Sequence, residues 1–142
     1  MNEGMSIECF LGFDGGQSGS RCLLVDTAGH VLFRAAGPPF EHLNAFDGPK
    51  KIRRAFSECL SRVATNHYLV RSAFLGLTGV WDSDSPEARP ILEIFRSVLH
   101  ADCVNLDNDS VSCWAGAFAC NPGVVVSAGT GVVSYGVSPG GQ

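Results

Sequence analysis

A glycine-rich segment near the amino terminus, Asp14–Ser20, carries residue types that bind phosphate. Glycine has no Cβ, so its backbone N–H groups can approach an anion closely. The hydroxyls of Ser18 and Ser20 add donors, and Asp14 could hold Mg²⁺ through water. The same pattern is typical of a glycine-rich hairpin turn with a capping aspartate, and the segment alone favours neither interpretation. It lacks the Gly-Lys-Ser/Thr of a P-loop and opens no helix, so neither that motif nor a dinucleotide fingerprint fits.

A second small-residue loop, Ser127–Gly131, also lies between two predicted strands. Alone it indicates little, because many hairpins use such turns. Two such loops in a chain of 142 residues are more informative. A nucleoside triphosphate needs donors from both sides of its phosphate chain, and the two loops together could supply them.

Asp109 follows a predicted strand and precedes a predicted helix. Ligands of mixed α/β sheets bind at the carboxyl ends of strands, where an aspartate can accept a proton from an attacking hydroxyl. Aspartate is also a common helix N-cap. The local sequence by itself favours the N-cap interpretation over the catalytic one.

The strands and helices that must position these loops follow from hydrophobic periodicity and turn residues. Three strands joined by short turns, Ile7–Phe13, Arg21–Asp26 and Val31–Ala36, predict an antiparallel meander. The other predicted elements are a helix starting at Asp47 or Gly48, strand Ser72–Thr78, a helix capped near Ser85 and delayed by Pro90, strand Cys103–Asp107, helix Val111–Phe118, a buried-type strand Val124–Ser127 and strand Val132–Val137. This order predicts one α/β domain with a mixed sheet and helices on its faces.

Composition narrows the class of protein. Apolar residues make up 45% of the chain and charged residues 17%, which excludes a disordered protein. The net charge of −4 argues against a nucleic-acid-binding module. No stretch approaches the roughly 18 apolar residues of a membrane span, and the amino terminus lacks the basic region of a secretory signal. The six cysteines form no Cys-x-x-Cys pair, so we expect reduced core thiols in a cytoplasmic protein.

The motifs taken together resemble those of a known family. Segment Leu11–Arg21 is similar to the first phosphate motif of the BadF/BadG/BcrA/BcrD-type ATPases. These belong to the sugar kinase, Hsp70 and actin superfamily and include N-acetylglucosamine kinases. Segments Asn108–Ala117 and Pro122–Gly131 are similar to the same family's catalytic aspartate and second phosphate motif. The resemblance covers nearly the whole chain and implies a ribonuclease-H-like lobe of the actin-like ATPase type.

The resemblance also implies a role for each matching residue. Asp14 becomes the metal-associated aspartate, and Asp109 becomes the base that activates a sugar hydroxyl, although it could also cap the helix. The implied nucleotide-binding residues are Gly15, Gly16, Gln17 and Ser18 in the first loop and Gly129, Thr130 and Gly131 in the second. The implied sugar-binding residues are Glu41 and Asn44, in the loop where related kinases place an asparagine, together with Thr78 and Gly79. ATP, Mg²⁺ and a small sugar are the implied ligands.

The length of the chain departs from the family pattern. Family members continue past the second phosphate motif with a Gly-Gly-Trp-Gly stretch, an adenosine loop and a second lobe, whereas this sequence stops soon after Gly136. We expect residues 1–142 to be an amino-terminal lobe, with a carboxy-terminal lobe as its natural partner. An apolar surface toward that lobe predicts self-association, including a possible homodimer. We expect no sugar kinase turnover from this lobe alone.

Two other functions stay open on the sequence. One is an ATPase activator of 2-hydroxyacyl dehydratases, which shares the fold and holds an iron–sulfur cluster at a dimer interface. In such activators a cluster cysteine lies beside the second phosphate loop, where this chain has Ser127 and Ala128. The other is a non-catalytic, folded half-protein that acts as a binding module. Iron content discriminates the first alternative, and a lack of nucleotide and sugar binding would favour the second.

Overall fold

A five-stranded mixed sheet organises the chain in the computed structural model, which describes residues 6–65, 68–128 and 132–141. The elements in chain order are β1 (Ile7–Gly16), β2 (Gly19–Asp26), β3 (Val31–Gly37), α1 (Gly48–Thr65), β4 (Tyr68–Leu77), α2 (Ala88–Arg96), β5 (Cys103–Asn108), α3 (Asp109–Phe118), β6 (Gly123–Ala128) and β7 (Val132–Val137). The predicted order of strands and helices is confirmed.

The strands of the main sheet lie in the order β3-β2-β1-β4-β5. The first three form the predicted antiparallel meander, and β4 and β5 are added parallel to β1. Several strands are longer than predicted: β1 and β2 pair as far as Gly16 and Gly19, and β4 begins at Tyr68 rather than Ser72. Glycine and polar residues interrupt the apolar pattern at such ends, although their backbones still pair.

One face of the sheet carries the hydrophobic core beneath α1 and α2. Alternate residues of β1 from Cys9 to Phe13 are buried on this face, as the period of a strand requires. The predicted apolar stripe of α1 is confirmed, since its members are all buried: Ile52, Phe56, Cys59, Leu60 and Val63. The Phe56 ring lies centrally, with its centroid 4.9 Å from that of Phe13 and 5.3 Å from that of Phe95. Full burial of each such side chain contributes roughly 1.5–3 kcal/mol.

The opposite face of the sheet is covered in part by α3. Gly76 of β4 lets this helix approach, because a Cβ built there would overlap the side chain of Ser112. Beyond α3 the face is open, and the apolar side chains of Phe10, Leu23 and Phe74 are exposed. An apolar groove of about 720 Å³ lies on this open face beside α3.

The last two strands form a hairpin in a separate sheet. The hairpin packs on α3, where the ring centroids of Trp114 and Tyr135 are 5.9 Å apart. Four of its valines are more than half exposed: Val124, Val126, Val132 and Val133. The prediction of a buried-type strand at Val124–Ser127 is therefore wrong, because β6 pairs with β7 outside the main sheet and most of its side chains face solvent.

The start of α2 differs from the prediction. The helix begins at Ala88 after Glu87, which makes no side-chain capping bond, so Ser85 is not the cap. Pro90 does not delay the helix, because it lies in the first turn, where a backbone N–H has no intrahelical partner. No helix in the described ranges is long and apolar enough to cross a membrane.

The six cysteines are free thiols, but only half of them belong to the core. The buried cysteines are Cys9, Cys22 and Cys59, and the exposed cysteines are Cys103, Cys113 and Cys120. The prediction of core cysteines is wrong for the second group. Its members lie on β5, on α3 and just after α3, at the partly covered side of the sheet, where an apolar sequence neighbourhood does not ensure burial.

Candidate functional site

The hairpin between β1 and β2 contains the first glycine-rich segment. The strands pair up to Gly16 and Gly19, which leaves Gln17 and Ser18 exposed at the turn. The backbone carbonyl of Gly15 accepts a hydrogen bond from Thr78 N at 2.8 Å, and a Cβ at Gly15 would lie 2.8 Å from both Leu77 Cδ2 and Phe40 Cγ. The side chains of Leu77 and Phe40 therefore pack directly against the backbone of residue 15, and this position requires glycine.

Ser20 does not contribute a donor to this turn. Its side chain is buried, and its Oγ donates to the backbone carbonyl of Pro38 at 2.8 Å. The same Oγ lies 3.4 Å from Cys59 Sγ. The expectation that Ser20 adds a phosphate donor is therefore wrong, because its place in the strand alternation directs it into the core.

Asp14 lies at the carboxyl end of β1 and is half-buried. Its carboxylate lies 3.7 Å from the Arg21 guanidinium on the paired strand. Burial raises the pKa of Asp14, the charge of Arg21 lowers it, and the charge of Asp109 raises it. Asp14 thus faces Arg21 across the hairpin and is within electrostatic reach of Asp109.

Three parallel strands bring the two aspartates together. Asp14 of β1 is in register with Gly76 of β4, which is in register with Asp107 of β5. A Cβ built on Gly76 would lie 3.6 Å from the Cα of Asp109, so this residue starts α3 directly beside the end of β4. Residues 14 and 109 are far apart in sequence, yet the parallel register gathers them at one edge of the sheet.

Asn108, not Asp109, is the N-cap of α3. Asn108 Oδ1 accepts hydrogen bonds from Ser110 N at 3.0 Å and from Ser110 Oγ at 2.6 Å, and its Nδ2 donates to Val80 O at 2.7 Å. Asp109 is the first helical residue, so the N-cap interpretation of Asp109 is wrong. Local sequence could not separate the two, because asparagine and aspartate cap helices about equally well.

A cleft of about 820 Å³ opens at this edge of the sheet. Its lining includes the candidate base Asp109 and the predicted sugar-binding residues Thr78 and Gly79. The other two predicted sugar-binding residues, Glu41 and Asn44, are not among the described residues that line it. Glu41 instead lies 4.0 Å from Lys51 Nζ, and its role and that of Asn44 stay predictions.

His42 is a cleft residue that the sequence did not single out. Its Nε2 lies 3.0 Å from Gln17 Nε2 in the first glycine-rich turn. Its ring also packs on Gly79, where a Cβ would lie 2.8 Å from His42 Cε1. His42 therefore bridges the predicted nucleotide loop and the predicted sugar loop. Its position beside Glu41, in a loop predicted to face the sugar, is the signal that could have found it.

The second glycine-rich loop is described only at its borders. Gly129, Thr130 and Gly131 lie outside the described residues. The flanking strands β6 and β7 are antiparallel, and Ala128 pairs with Val132. The phosphate-binding role of this loop stays a prediction.

The residues at this edge fit the way in which proteins usually hold Mg²⁺. Within the described ranges no group of three or more His, Cys, Asp or Glu side chains could hold a metal ion. Mg²⁺ bound with a nucleotide usually keeps several waters and takes only one or two carboxylates, with phosphate oxygens as further ligands. The half-buried carboxylate of Asp14, whose pKa the charge of Asp109 helps to raise, meets this smaller requirement.

Several solved structures share the fold of this chain. One is a Chromobacterium violaceum protein, provisionally described as an N-acetylglucosamine kinase, with a TM-score of 0.67 and 24% identity over 96% of this chain and 47% of its own. A Porphyromonas gingivalis protein of the same description has a TM-score of 0.70 and 17% identity over 89% and 44%. A ROK family glucokinase from Streptomyces griseus, in complex with glucose and AMPPNP, has a TM-score of 0.55 and 19% identity over 89% and 43%.

These similarities confirm the predicted fold class, an α/β lobe with a mixed sheet of the ribonuclease-H-like, actin-like type. The chain spans less than half the length of each of these structures. No protein-family model and no curated protein matches the sequence. The relation to the BadF-type ATPases therefore stays a resemblance of motifs.

Proposed function

We propose that the chain is a lobe of an ATP-dependent carbohydrate kinase that acts on an N-acetylhexosamine or a related amino sugar. The observation that carries the proposal is the position of Asp109. Its carboxylate is not used as the helix N-cap, it lies in a cleft with Thr78 and Gly79, and its charge reaches Asp14. A carboxylate placed in this way can serve as a base next to a phosphate-binding turn.

In the proposed reaction Asp109 accepts the proton of a sugar hydroxyl, and the oxygen of that hydroxyl attacks the γ-phosphorus of ATP. A new P–O bond forms to the sugar, and the bond between the γ-phosphorus and the departing ADP oxygen breaks. The exposed Gln17–Ser18 turn and the Gly129–Gly131 loop would hold the phosphates from two sides. Asp14 would hold Mg²⁺ through water, and the ion would neutralise phosphate charge.

The exposed apolar surface of this lobe supports the proposal that a partner covers it. The valines of the β6–β7 hairpin and the open face of the main sheet leave apolar side chains in contact with solvent. Solved structures of the same fold are more than twice as long as this chain. We propose that a second lobe covers these surfaces, and that the chain self-associates, for example as a homodimer, when it is produced alone. Its free thiols support a cytoplasmic location.

Measurements of ligand binding test the proposal first, and a turnover assay follows. NMR titrations with Mg²⁺ and AMPPNP, and separately with amino sugars, should shift resonances of residues 14–18 and 76–79 in the 142-residue chain. Asp109→Asn should keep both binding events. A coupled ADP-release assay should show no turnover from this chain alone. If the chain bound no sugar, with or without nucleotide, the kinase assignment would be wrong. Sugar-dependent ADP release abolished by Asp109→Asn would support the assignment and show that one lobe suffices.

A further inference from the structure

Trp81 stands at the cleft with its indole in solvent. Its side chain is 84% exposed, although tryptophan is on average a well-buried residue. The other tryptophan of the chain, Trp114, is half-buried, packs on Tyr135 and donates its indole N–H to Asn121 O at 3.1 Å. Trp81 lines the same cleft as Asp109. A large apolar ring exposed beside polar cleft residues is typical of a ligand-binding position.

The backbone on both sides of Trp81 is held in place. The preceding Val80 is 1% exposed, and its carbonyl accepts the hydrogen bond from Asn108 Nδ2. The following Asp82 forms a turn in which its Oδ1 accepts from Asp84 N at 2.9 Å and its carbonyl accepts from Ser85 Oγ at 2.8 Å. The indole is therefore carried by an anchored segment, and the same asparagine that caps α3 beside Asp109 also fixes the segment of Trp81.

The charge of the cleft restricts what can lie against Trp81. Four carboxylates line it: Asp82, Glu87, Asp107 and Asp109. No lysine or arginine within the described part of the chain lines the cleft, and His42 is its one basic side chain there. Carboxylates that lack cationic partners repel an anionic ligand that arrives without a neutralising cation, unlike the nucleotide, which is proposed to bind with Mg²⁺. The cleft therefore suits a polyhydroxyl ligand that carries no negative charge of its own.

We propose that Trp81 is the surface on which the ring of the sugar substrate stacks, and that this substrate is a pyranose without a carboxylate or phosphate group. The inference rests on the proposed function and assigns the sugar-recognition residue of that site. The C–H bonds on one face of a pyranose are weakly positive and apolar, and they complement the negative face of the indole. The hydroxyl groups of the other face stay free to meet polar cleft residues.

The test measures sugar binding by saturation-transfer-difference NMR, which detects weak ligands, on the 142-residue chain. The probes are N-acetylglucosamine, glucosamine, glucose, glucuronate and glucose 6-phosphate. We expect the first three to bind, with the strongest saturation on the C–H protons of one ring face. We expect glucuronate and glucose 6-phosphate to bind at least tenfold more weakly. Equal binding of the anionic sugars would overturn the charge argument.

Variants separate stacking from general damage to the cleft. Trp81→Ala should weaken sugar binding by roughly tenfold, and Trp81→Phe should restore most of it. In a Trp114→Phe background, sugar should change the fluorescence of Trp81, the one remaining tryptophan. Unchanged affinity in Trp81→Ala with circular dichroism like that of the wild type would overturn the stacking proposal and leave the kinase proposal intact. If the wild type bound nucleotide but no sugar, both would fail.

Discussion

Ser112 of α3 lies directly over Gly76 of β4, so closely that a Cβ on Gly76 would overlap Ser112 Oγ and lie 2.8 Å from Ser112 Cβ. Ser112 Oγ is buried and has no hydrogen-bond partner among the described residues. Asp109 lies three residues earlier on the same helix, and residues at this spacing share a helix face. The contact at Gly76 therefore sets how close α3 comes to the sheet and, with it, where Asp109 stands relative to Asp14.

Gly76→Ala is expected to destabilise the protein by about 1–3 kcal/mol, because the new methyl group must displace Ser112 and the start of α3. The matched control is Gly12→Ala, on the adjacent strand β1, where nothing lies within 4 Å of the added Cβ. Urea denaturation measures the free energy of unfolding of each variant. Ser112→Ala should cost little by itself, since it removes an unpaired hydroxyl, and should partly rescue Gly76→Ala. Equal stability of the two glycine variants would contradict this account.

Asn108 and Asp109 should respond differently to substitution. Asn108→Ala is expected to cost about 1 kcal/mol or more, because it removes the N-cap of α3 and the hydrogen bond to Val80 O. Asp109→Asn should leave the free energy of unfolding close to that of the wild type. It should also lower the pKa of Asp14, since the negative charge of Asp109 is one of the causes that raise it. Carboxyl carbon NMR titration measures this pKa, and an unchanged value would show that the two carboxylates do not interact.

The sequence predicted the strands and helices well, but it predicted less well which of their side chains are buried. Period-two alternation and the α1 stripe identified the core face correctly, because burial on one side imposes that pattern. The strand Val124–Ser127 has the same apolar character, yet it belongs to an exposed hairpin. Composition alone does not say which sheet a strand joins. The same limit explains why Cys103 and Cys113 are exposed despite their apolar neighbours.

The candidate site was predictable where a strand end fixes a residue. Asp14 and Asp109 each come just after a predicted strand, and Thr78 ends one. The parallel register of β1, β4 and β5 brings those strand ends to one edge. His42 and Trp81 lie in loops whose path depends on tertiary contacts. For His42 the one signal was its place beside Glu41 in the loop predicted to face the sugar, and no local pattern placed Trp81 beside that edge. Glu41 and Asn44 were assigned by aligning such a loop with the family motif. A shift of one residue in that alignment would assign different residues.

Thiol labelling should divide the cysteines into two groups. In the native protein, iodoacetamide should modify Cys103, Cys113 and Cys120, and the buried thiols should react only after unfolding. Burial and the charges of Asp14 and Asp109 raise the pKa of Cys113, which lowers its thiolate fraction at neutral pH. Asp109→Asn should therefore accelerate labelling of Cys113 and leave Cys103 unchanged. Peptide mass spectrometry follows each site, and labelling of Cys59 in the folded chain would contradict the structure.

Asp26, at the turn between β2 and β3, should make stability depend on pH. The backbone N–H of His30 lowers the pKa of Asp26 below its ordinary 3.8, with further contributions from the His30 ring and from Ala28 N. An acid whose pKa is lower in the folded state stabilises the protein above its unfolded pKa and loses that contribution as the pH falls through the folded value. Asp26→Asn should therefore lower the melting temperature at neutral pH.

The difference between Asp26→Asn and the wild type should shrink progressively as the pH falls below 3.8, where the wild-type carboxyl also becomes protonated. His30→Ala is the companion variant. It removes the ring contact at 3.0 Å and keeps the backbone donor, so the pKa of Asp26 should rise and still lie below its ordinary value. Differential scanning calorimetry across pH measures the effect, and a difference that stays constant at low pH would show that Asp26 does not cause it.

Gly79 and Gly29 offer a matched pair for testing the role of His42. Both have a positive φ, +77° and +86°, so alanine at either position should cost about 1 kcal/mol of backbone strain. Nothing lies within 4 Å of a Cβ at Gly29, whereas a Cβ at Gly79 would overlap the His42 ring. Only Gly79→Ala should therefore destabilise beyond the strain, shift the His42 ring resonances and break its contact with Gln17. It should also weaken sugar and nucleotide binding together, because His42 joins the two loops. Heteronuclear NMR on both variants measures these effects, and equal behaviour would show that His42 does not couple them.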